Sequence, residues 1–573
     1  MEWLLIDGIG PFFHGYHRKR INWSKIPFAH LETADGLKTD LVGNIQADFA
    51  RFVRAAADIG CNAITLDDLA HLYPWHQYEA SVKAKIRAYG AWYRELFAIA
   101  ADAGLRVFIT TDLMFYTSEL ARYPGRHVSA LVEWWQQALH YVFQAFPVIA
   151  GVIMRFGEAD ARDVKDTFHS ALVLRTSKQI RQFLRGVLPV FERWQKLLVF
   201  RTWSVGAHAV GDLMWHRRTF ASVFSSLHSP NLILSMKYGE SDFFRFLPLN
   251  AHFFHSPHQK IIEFQTRREY EGFGEYPAFV GWEYEGYLRA LRSAPNVVGA
   301  SLWCQTGGWG TFRRLTYLSN SSIWVELNTF VTAHMCRGVS CEQAVEQFCQ
   351  RFQPHIPVQP FVQFLRLADE AVRNVLYVRE LAERQLFFRR LRVPPLSHVF
   401  WDRIVINATM RTVLGALVTD RQRAIDEGRM ALTTLDTMRQ LAAVHRLPEQ
   451  GLRLQHDTFA ILALAREYLL GDATPEIQQR LQTLVLHYRA NHAWRYTVET
   501  NFAPHVASRL MPSRSLKLLL RLMLRERAEY RWIDRLFLLR FFSLVYPLLW
   551  RWRERLFPAF VRQHGMGIEV VFK

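Results

Sequence analysis

The sequence predicts a (β/α)8 barrel followed by an all-α C-terminal domain and a basic tail. Three observations carry that prediction. Eight short apolar runs of strand length alternate with mostly helical segments over residues 1–325. Nearly every run ends in a charged or aromatic residue, and a barrel places its chemistry at the carboxyl ends of its strands. After Trp324 the strand-like runs thin out, and helical periodicity broken by HIPVQP and RVPPLSH takes over.

In chain order, Trp3 to Ile6 is the first strand, ending at Asp7 and entering a loop of glycines, histidines and aromatics. A helix from Asn44 to Ile59 places Phe49, Phe52, Val53 and Ala56 on one side. The second strand, Asn62 to Leu66, delivers Asp67 and Asp68. A helix from Val82 to Ala103 stops at Gly104, which reads as a helix-ending glycine. The third strand, Leu105 to Thr110, leads to Asp112; the fourth, Ile149 to Met154, leads to Arg155 and Glu158. The fifth, Leu197 to Phe200, delivers Arg201 and Trp203. The sixth, Leu232 to Met236, delivers Lys237 and Asp242. The seventh, Ile261 to Phe264, carries Glu263 within it. The eighth, Val297 to Leu302, delivers Trp303 and Gln305.

A strand buried on both faces does not carry a carboxylate for packing reasons. A structural ion pair with Lys237 competes as the explanation for any one acid, but less well for several at matching positions. Opposed carboxylates across a pocket suit glycoside hydrolysis, in which one protonated acid serves the leaving oxygen and an ionised carboxylate activates water or attacks. Asp7, Asp67, Asp68, Asp112, Glu158, Asp242 and Glu263 are the acids gathered there, with Arg155, Arg201 and Lys237 as basic partners. Trp203 and Trp303 offer flat faces for a sugar, although tryptophan is equally a core residue.

Beyond the barrel, helices are expected at Cys341 to Phe352, Phe361 to Phe388, Phe400 to Val418, Arg421 to His445 and Leu452 to Leu470, giving an α-helical domain over residues 326–511. From 512 to 573 arginine alternates with leucine and aromatics. That segment either lies in a membrane interface as an amphipathic helix or docks its apolar face on the preceding domain while arginine stems snorkel. The histidines of HFFHSPH (His252, His255, His258) read as a loop of surface or pocket-rim histidines, and Glu283 with Glu285 as the start of a solvated helix.

The net charge of +18 predicts an anionic partner. No recognition-helix, RNA-binding or zinc-finger pattern is present, which argues against nucleic acid. Five cysteines at irregular spacing give neither a disulfide framework nor a zinc pattern. The N-terminus reads as strand and loop, without the features of a signal peptide, and no apolar run is long enough to span a bilayer. A cytoplasmic protein is the expectation, peripheral at the inner membrane face if the tail is the interfacial helix.

Several stretches, in order, resemble the glycoside hydrolase family 67 α-glucuronidases. LIDGIGPFFHGY is similar to the family's first strand and loop, DFARFVRAAADIGCNAITLDDLAH to its second-strand region, and GLRVFITTD to its third. FPVIAGVIMRFGEAD falls where the family has its catalytic acid, FRTW where it has a strand-five arginine, MKYGESDF where it has a lysine and a base, and IIEFQTRREY where it has a second base carboxylate. VELNTFVTAHMCRGVSCEQAVEQFCQRF resembles the start of its helical domain. The resemblance implies inverting hydrolysis without cofactor or metal. Glu158 would be the acid, Asp242, Glu263 or both would position water, and Lys237 and Arg201 would meet a glucuronate-like carboxylate. Arg155, Asp67, Asp68, Trp203, Trp303 and Asp7 would complete the substrate pocket. Met154 stands where the family has lysine, and the loop at the acid reads GEADARD. The substrate expected is an acidic or otherwise decorated oligosaccharide or polysaccharide. The alternative is a carbohydrate-binding or scaffold protein at a membrane surface that kept the barrel and lost turnover.

Overall fold

The computed structural model describes residues 1–16, 26–113, 115–116, 119–120, 127–155, 168–170, 173–204, 209–305, 314–319, 321–396, 399–400, 402–492, 495–503 and 513–538. Eight parallel strands close into a barrel: β1 (Trp3–Asp7), β2 (Ala63–Asp67), β3 (Arg106–Asp112), β4 (Ile149–Arg155), β5 (Leu197–Arg201), β6 (Leu232–Lys237), β7 (Gln259–Gln265) and β8 (Val297–Trp303). Each pairs with its sequence neighbours, and β1 pairs with β8 to close the ring.

Side-chain alternation explains the lumen. Trp3 and Leu5 of β1, Ala63 of β2, Phe108 of β3, Ile153 of β4, Val199 of β5, Ile233 of β6 and Ile261 of β7 form an inner apolar cluster separate from the main core. Trp3 and Phe108 meet edge to face with centroids 5.3 Å apart. Room for them comes from glycines: a Cβ at Gly299 would lie 2.6 Å from the Trp3 Cβ, and one at Gly151 would lie 2.8 Å from the Phe108 ring. One or two pleats further on, each inward position turns polar: Asp7, Thr65, Thr110, Arg201, Ser235 and Trp303 share a small cavity above the apolar cluster. The lumen is thus dry at its amino end and charged at its carboxyl end.

The helical layer outside follows the expected order. α1 (Thr39–Asp58) buries Ile45, Phe49, Phe52, Val53 and Ala56 on one stripe, which packs it on the strands. α2 (Ala80–Asp102) ends where Gly104 takes φ +77°, with the Leu105 amide reaching back to the Ala100 carbonyl and the Gly104 amide to that of Ala101. α3 (Val128–Ala145) follows β3, and α4 (Ser177–Trp194) follows β4 behind a Thr176–Gln179 capping box. α5 (Arg217–Phe224), the single turn α6 (His252–His255), α7 (Gly281–Leu291) and α8 (Ile323–Cys336) complete the ring.

C-terminal to the barrel lie helices Cys341–Phe352, Val358–Leu376, Arg421–His445, Leu452–Leu470 and Pro475–His492. The last is a helix the sequence reading did not single out. The expected helix from Phe361 to Phe388 stops at Leu376, and Phe387–Phe388 pairs instead with Leu391–Arg392 and with Leu524–Arg525 of the tail. The expected helix from Phe400 begins only at Ala408, because the β-branched run in Arg403–Asn407 forms a strand paired with Thr497–Asn501. One buried core runs without a break from the barrel helices into this region.

Ionic networks seal the junction. Arg245, in the loop after β6, is fully buried and donates to Glu271, Glu283 and Asp369, while Arg373 also reaches Glu283 and Asp369. Glu283 therefore belongs to a buried network rather than a solvated helix. Arg466 donates to the carbonyls of Asn374, Val375, Tyr377 and Ala424, tying three segments together.

The tail is not one continuous helix among its described residues. Ser513–Met523 is helical and packs on the helix Ala408–Leu417; the chain then forms the short strand Leu524–Arg525 before Trp532–Leu538. Tyr530 hydrogen-bonds Asp212 on the loop after β5, and Arg525 lies over the rings of Trp215, Phe387 and Tyr530. No helix among the described residues is long and apolar enough to cross a membrane.

Candidate active site

The carboxyl ends of the strands bring together Asp7, Asp67, Asp112, Arg155, Arg201, Lys237, Glu263 and Trp303 by the same alternation that fills the lumen below. All of these except the partly exposed Trp303 are buried. Burying so many charges is tolerable only because each acid has a specific partner.

On β5 and β7, Arg201 and Glu263 pair fork to fork: Nε donates to Oε1 at 2.9 Å and Nη2 to Oε2 at 2.8 Å. Ser235, on the strand between them, donates to Oε1 at 2.7 Å. Burial alone would raise the Glu263 pKa, but the Arg201 guanidinium and these donors hold it below the usual carboxylate range. The Arg201 guanidinium also lies 4.4 Å from the centroid of the Trp303 ring.

Next to this pair, Lys237 donates to Asp242 Oδ1 at 2.7 Å. Tyr270, from the loop after β7, donates its hydroxyl to Oδ2 at 2.6 Å, and the Phe243 amide donates to Oδ1 at 2.9 Å. Burial again pushes upward, and the Lys237 charge with three donors outweighs it, so Asp242 is held below its ordinary value and is ionised at neutral pH. The Lys237 ammonium sits 3.4 Å from the centroid of Trp203 and 4.6 Å from that of Phe243. Asp242 is the more open of the two carboxylates, with 13% of its side chain exposed against 1% for Glu263.

On the opposite side, Arg155 Nε donates to Asp112 Oδ1 at 3.0 Å. Asp67 accepts the Ile26 amide at 3.2 Å. Asp68 sits one position off the ring: it accepts the hydroxyl of outward-facing Thr111 at 2.7 Å and the Ala70 amide at 3.3 Å, capping a short 3-10 helix. Asp7 accepts the Cys304 amide and thiol and the Gln305 amide, stapling β1 to the end of β8. Burial raises its pKa, with Arg267 opposing. Glu158 lies outside the described residues.

Three participants escaped the sequence reading. Tyr270 was inside a stretch already singled out, but its bond to Asp242 is a loop-to-loop contact with no local signature. Arg267 and Glu269 form a buried pair, Nη2 to Oε2 2.6 Å, in the same loop. The run TRREYEGFGE looks solvated in sequence yet is buried throughout; its closely spaced opposite charges were the available signal. His252, expected at the surface or a pocket rim, is buried and stacked on Phe220, and burial drives its pKa down to about 3. It lies on α6, in the segment that leads into the start of β7.

No family model matches the chain, and no curated protein matches it in sequence. Among solved structures it is similar to a GH138 enzyme targeting pectin rhamnogalacturonan II, with a TM-score of 0.51 at 10% identity over 86% of this chain and 62% of that one. Weaker likenesses are to a D-psicose 3-epimerase from Clostridium cellulolyticum (TM-score 0.34, 10% identity, 59% of this chain and 99% of that one) and to a GH84 protein (TM-score 0.33, 10% identity, 78% of this chain and 67% of that one). The first shows a shared fold; the chain spans 62% of the length of that GH138 enzyme.

Proposed function

We propose that this protein is a glycoside hydrolase of α-glucuronidase-like type that inverts the anomeric centre of an acidic oligosaccharide. The observation that carries the reading is Asp242. It is an ionised carboxylate at the barrel mouth, oriented by Tyr270 and by a Lys237 whose ammonium lies over the ring of Trp203, and partly open. Such a group suits a base that takes a proton from water as the water attacks the sugar carbon.

In this reading Glu158 is the acid that protonates the leaving oxygen, an assignment supported by its place in the sequence. Arg155 precedes it at the end of β4 and is held by Asp112. Glu263 shares its oxygens between Arg201 and Ser235, so its task is to hold Arg201 beneath the sugar. Arg201 and Lys237 supply positive charge for a substrate carboxylate, while Trp203 and Trp303 offer ring faces. The uronate specificity rests on this pair of cations and on the family resemblance. Glucuronides of both anomers, galacturonides and pectin-derived oligosaccharides are therefore the substrates to screen, with neutral glycosides as controls. Release of free uronate by the wild type and loss of about 100-fold or more in Asp242→Asn support the reading. Binding of these sugars with no product from the wild type supports the scaffold alternative instead.

A further inference from the structure

The tail helix Ser513–Met523 carries a wide apolar arc, and only part of it is covered. Leu520, Met523 and the following Leu524 are half-buried on the side that packs against the helix Ala408–Leu417. Leu518, Leu519 and Leu522 continue the same apolar arc round the helix and are 61%, 37% and 44% exposed. A helix that only docks on its own domain has no need of leucines beyond the covered part of the arc. Trp532 adds the largest exposed aromatic surface nearby, at 76%.

Beside this face runs a groove of about 620 Å³ whose walls carry Arg384, Lys517, Arg521, Arg525, Arg527 and Arg531 against only Glu380 and Glu526. Arg384 is matched by Glu526 and Arg531 by Asp534. Lys517, Arg521 and Arg527 are exposed and make no ion pair among the described residues. Unused leucines and unmatched cations thus lie together within the short segment from Lys517 to Arg527.

From this juxtaposition we infer that the 513–535 segment is a docking surface for an anionic lipid bilayer. Leu518, Leu519, Leu522 and Trp532 would enter the headgroup boundary, and Lys517, Arg521 and Arg527 would meet lipid phosphates and carboxylates. The leucines choose the occupant. A polyanionic glycan or a nucleic acid would be held by the cations with aromatic stacking and hydrogen bonds, and three aliphatic side chains offer it neither. A bilayer uses both features at once. The sequence beyond Leu538, with FFSLVYPLLWRWRERLF, continues the same pairing of apolar and basic residues. This inference is independent of any sugar chemistry in the barrel.

The experiment is co-sedimentation of the full chain with vesicles of phosphatidylcholine alone or mixed with phosphatidylserine. The expected result is binding to the phosphatidylserine vesicles only, released by high salt. Leu518→Asp/Leu522→Asp should weaken it about tenfold or more. Arg521→Glu/Arg527→Glu should weaken it on the order of fivefold per cation removed. Both pairs are exposed, so the melting temperature should not move. Absence of binding at low salt overturns the inference. So does binding that the leucine variant leaves intact, which would mark the groove as a site for soluble polyanions. So does a self-associated wild type, seen by light scattering, that the leucine variant converts to monomer without loss of vesicle binding.

Discussion

Arg201 and Glu263 face each other across β6, fork to fork at 2.9 and 2.8 Å, on strands β5 and β7 that are not themselves neighbours. Both side chains are almost wholly buried. A pair of this kind is costly to break from one side, because the survivor is left as an uncompensated charge in the interior. Glu263→Leu should therefore destabilise the protein by about 3–5 kcal/mol in urea unfolding, and Arg201→Leu/Glu263→Leu should recover much of that loss. Asp7→Asn should cost less than about 1 kcal/mol, because the Cys304 amide and thiol and the Gln305 amide are donors that an amide oxygen still accepts.

Glu263, Asp242 and Glu271 are all held below their ordinary carboxylate values by buried cations. In the unfolded chain these groups take up protons near pH 4, while in the folded protein they resist until lower pH. The stability they provide is complete above about pH 5 and is lost as pH falls through their folded values. Unfolding free energy measured from pH 6 to pH 2 should fall steeply below about pH 4. The fall should be shallower in Arg201→Leu/Glu263→Leu, which lacks one of the three groups.

Tyr270 offers a test of role without removing the carboxylate. Its hydroxyl is one of the donors that hold Asp242 ionised. In Tyr270→Phe the Asp242 pKa should rise, so the acidic limb of the kcat/KM profile should move to higher pH. A tyrosine that only packs would lower activity, if at all, equally at every pH.

The barrel was legible because its strands are short, apolar and punctuated. Each of the eight runs read from sequence coincides with a strand to within one or two residues at most ends, and Gly104 stops its helix as expected. Harder to read was anything decided by a distant partner. The strand Arg403–Asn407 exists because Thr497–Asn501 pairs with it, so its Ile-Val-Ile run passed for the front of a helix. Glu283 looked like a solvated helix start because Arg245 and Arg373 reach it from other segments. The charges at the strand ends were legible residue by residue, while Tyr270 and the Arg267–Glu269 pair were not. The pairing was not: which acid faces Arg201, which faces Lys237, and that Asp68 falls off the ring with Thr111 all follow from barrel closure and register.

The central claim is that Asp242 acts as the base in hydrolysis of an acidic glycoside with inversion. Proton NMR of a uronide digest, followed from the first minutes for wild type and Asp242→Asn, tests it most directly. The first sugar released by the wild type should have the anomeric configuration opposite to the bond cleaved, and Asp242→Asn should release it at least about 100-fold more slowly. Retained configuration, or an Asp242→Asn variant as fast as the wild type, would contradict it.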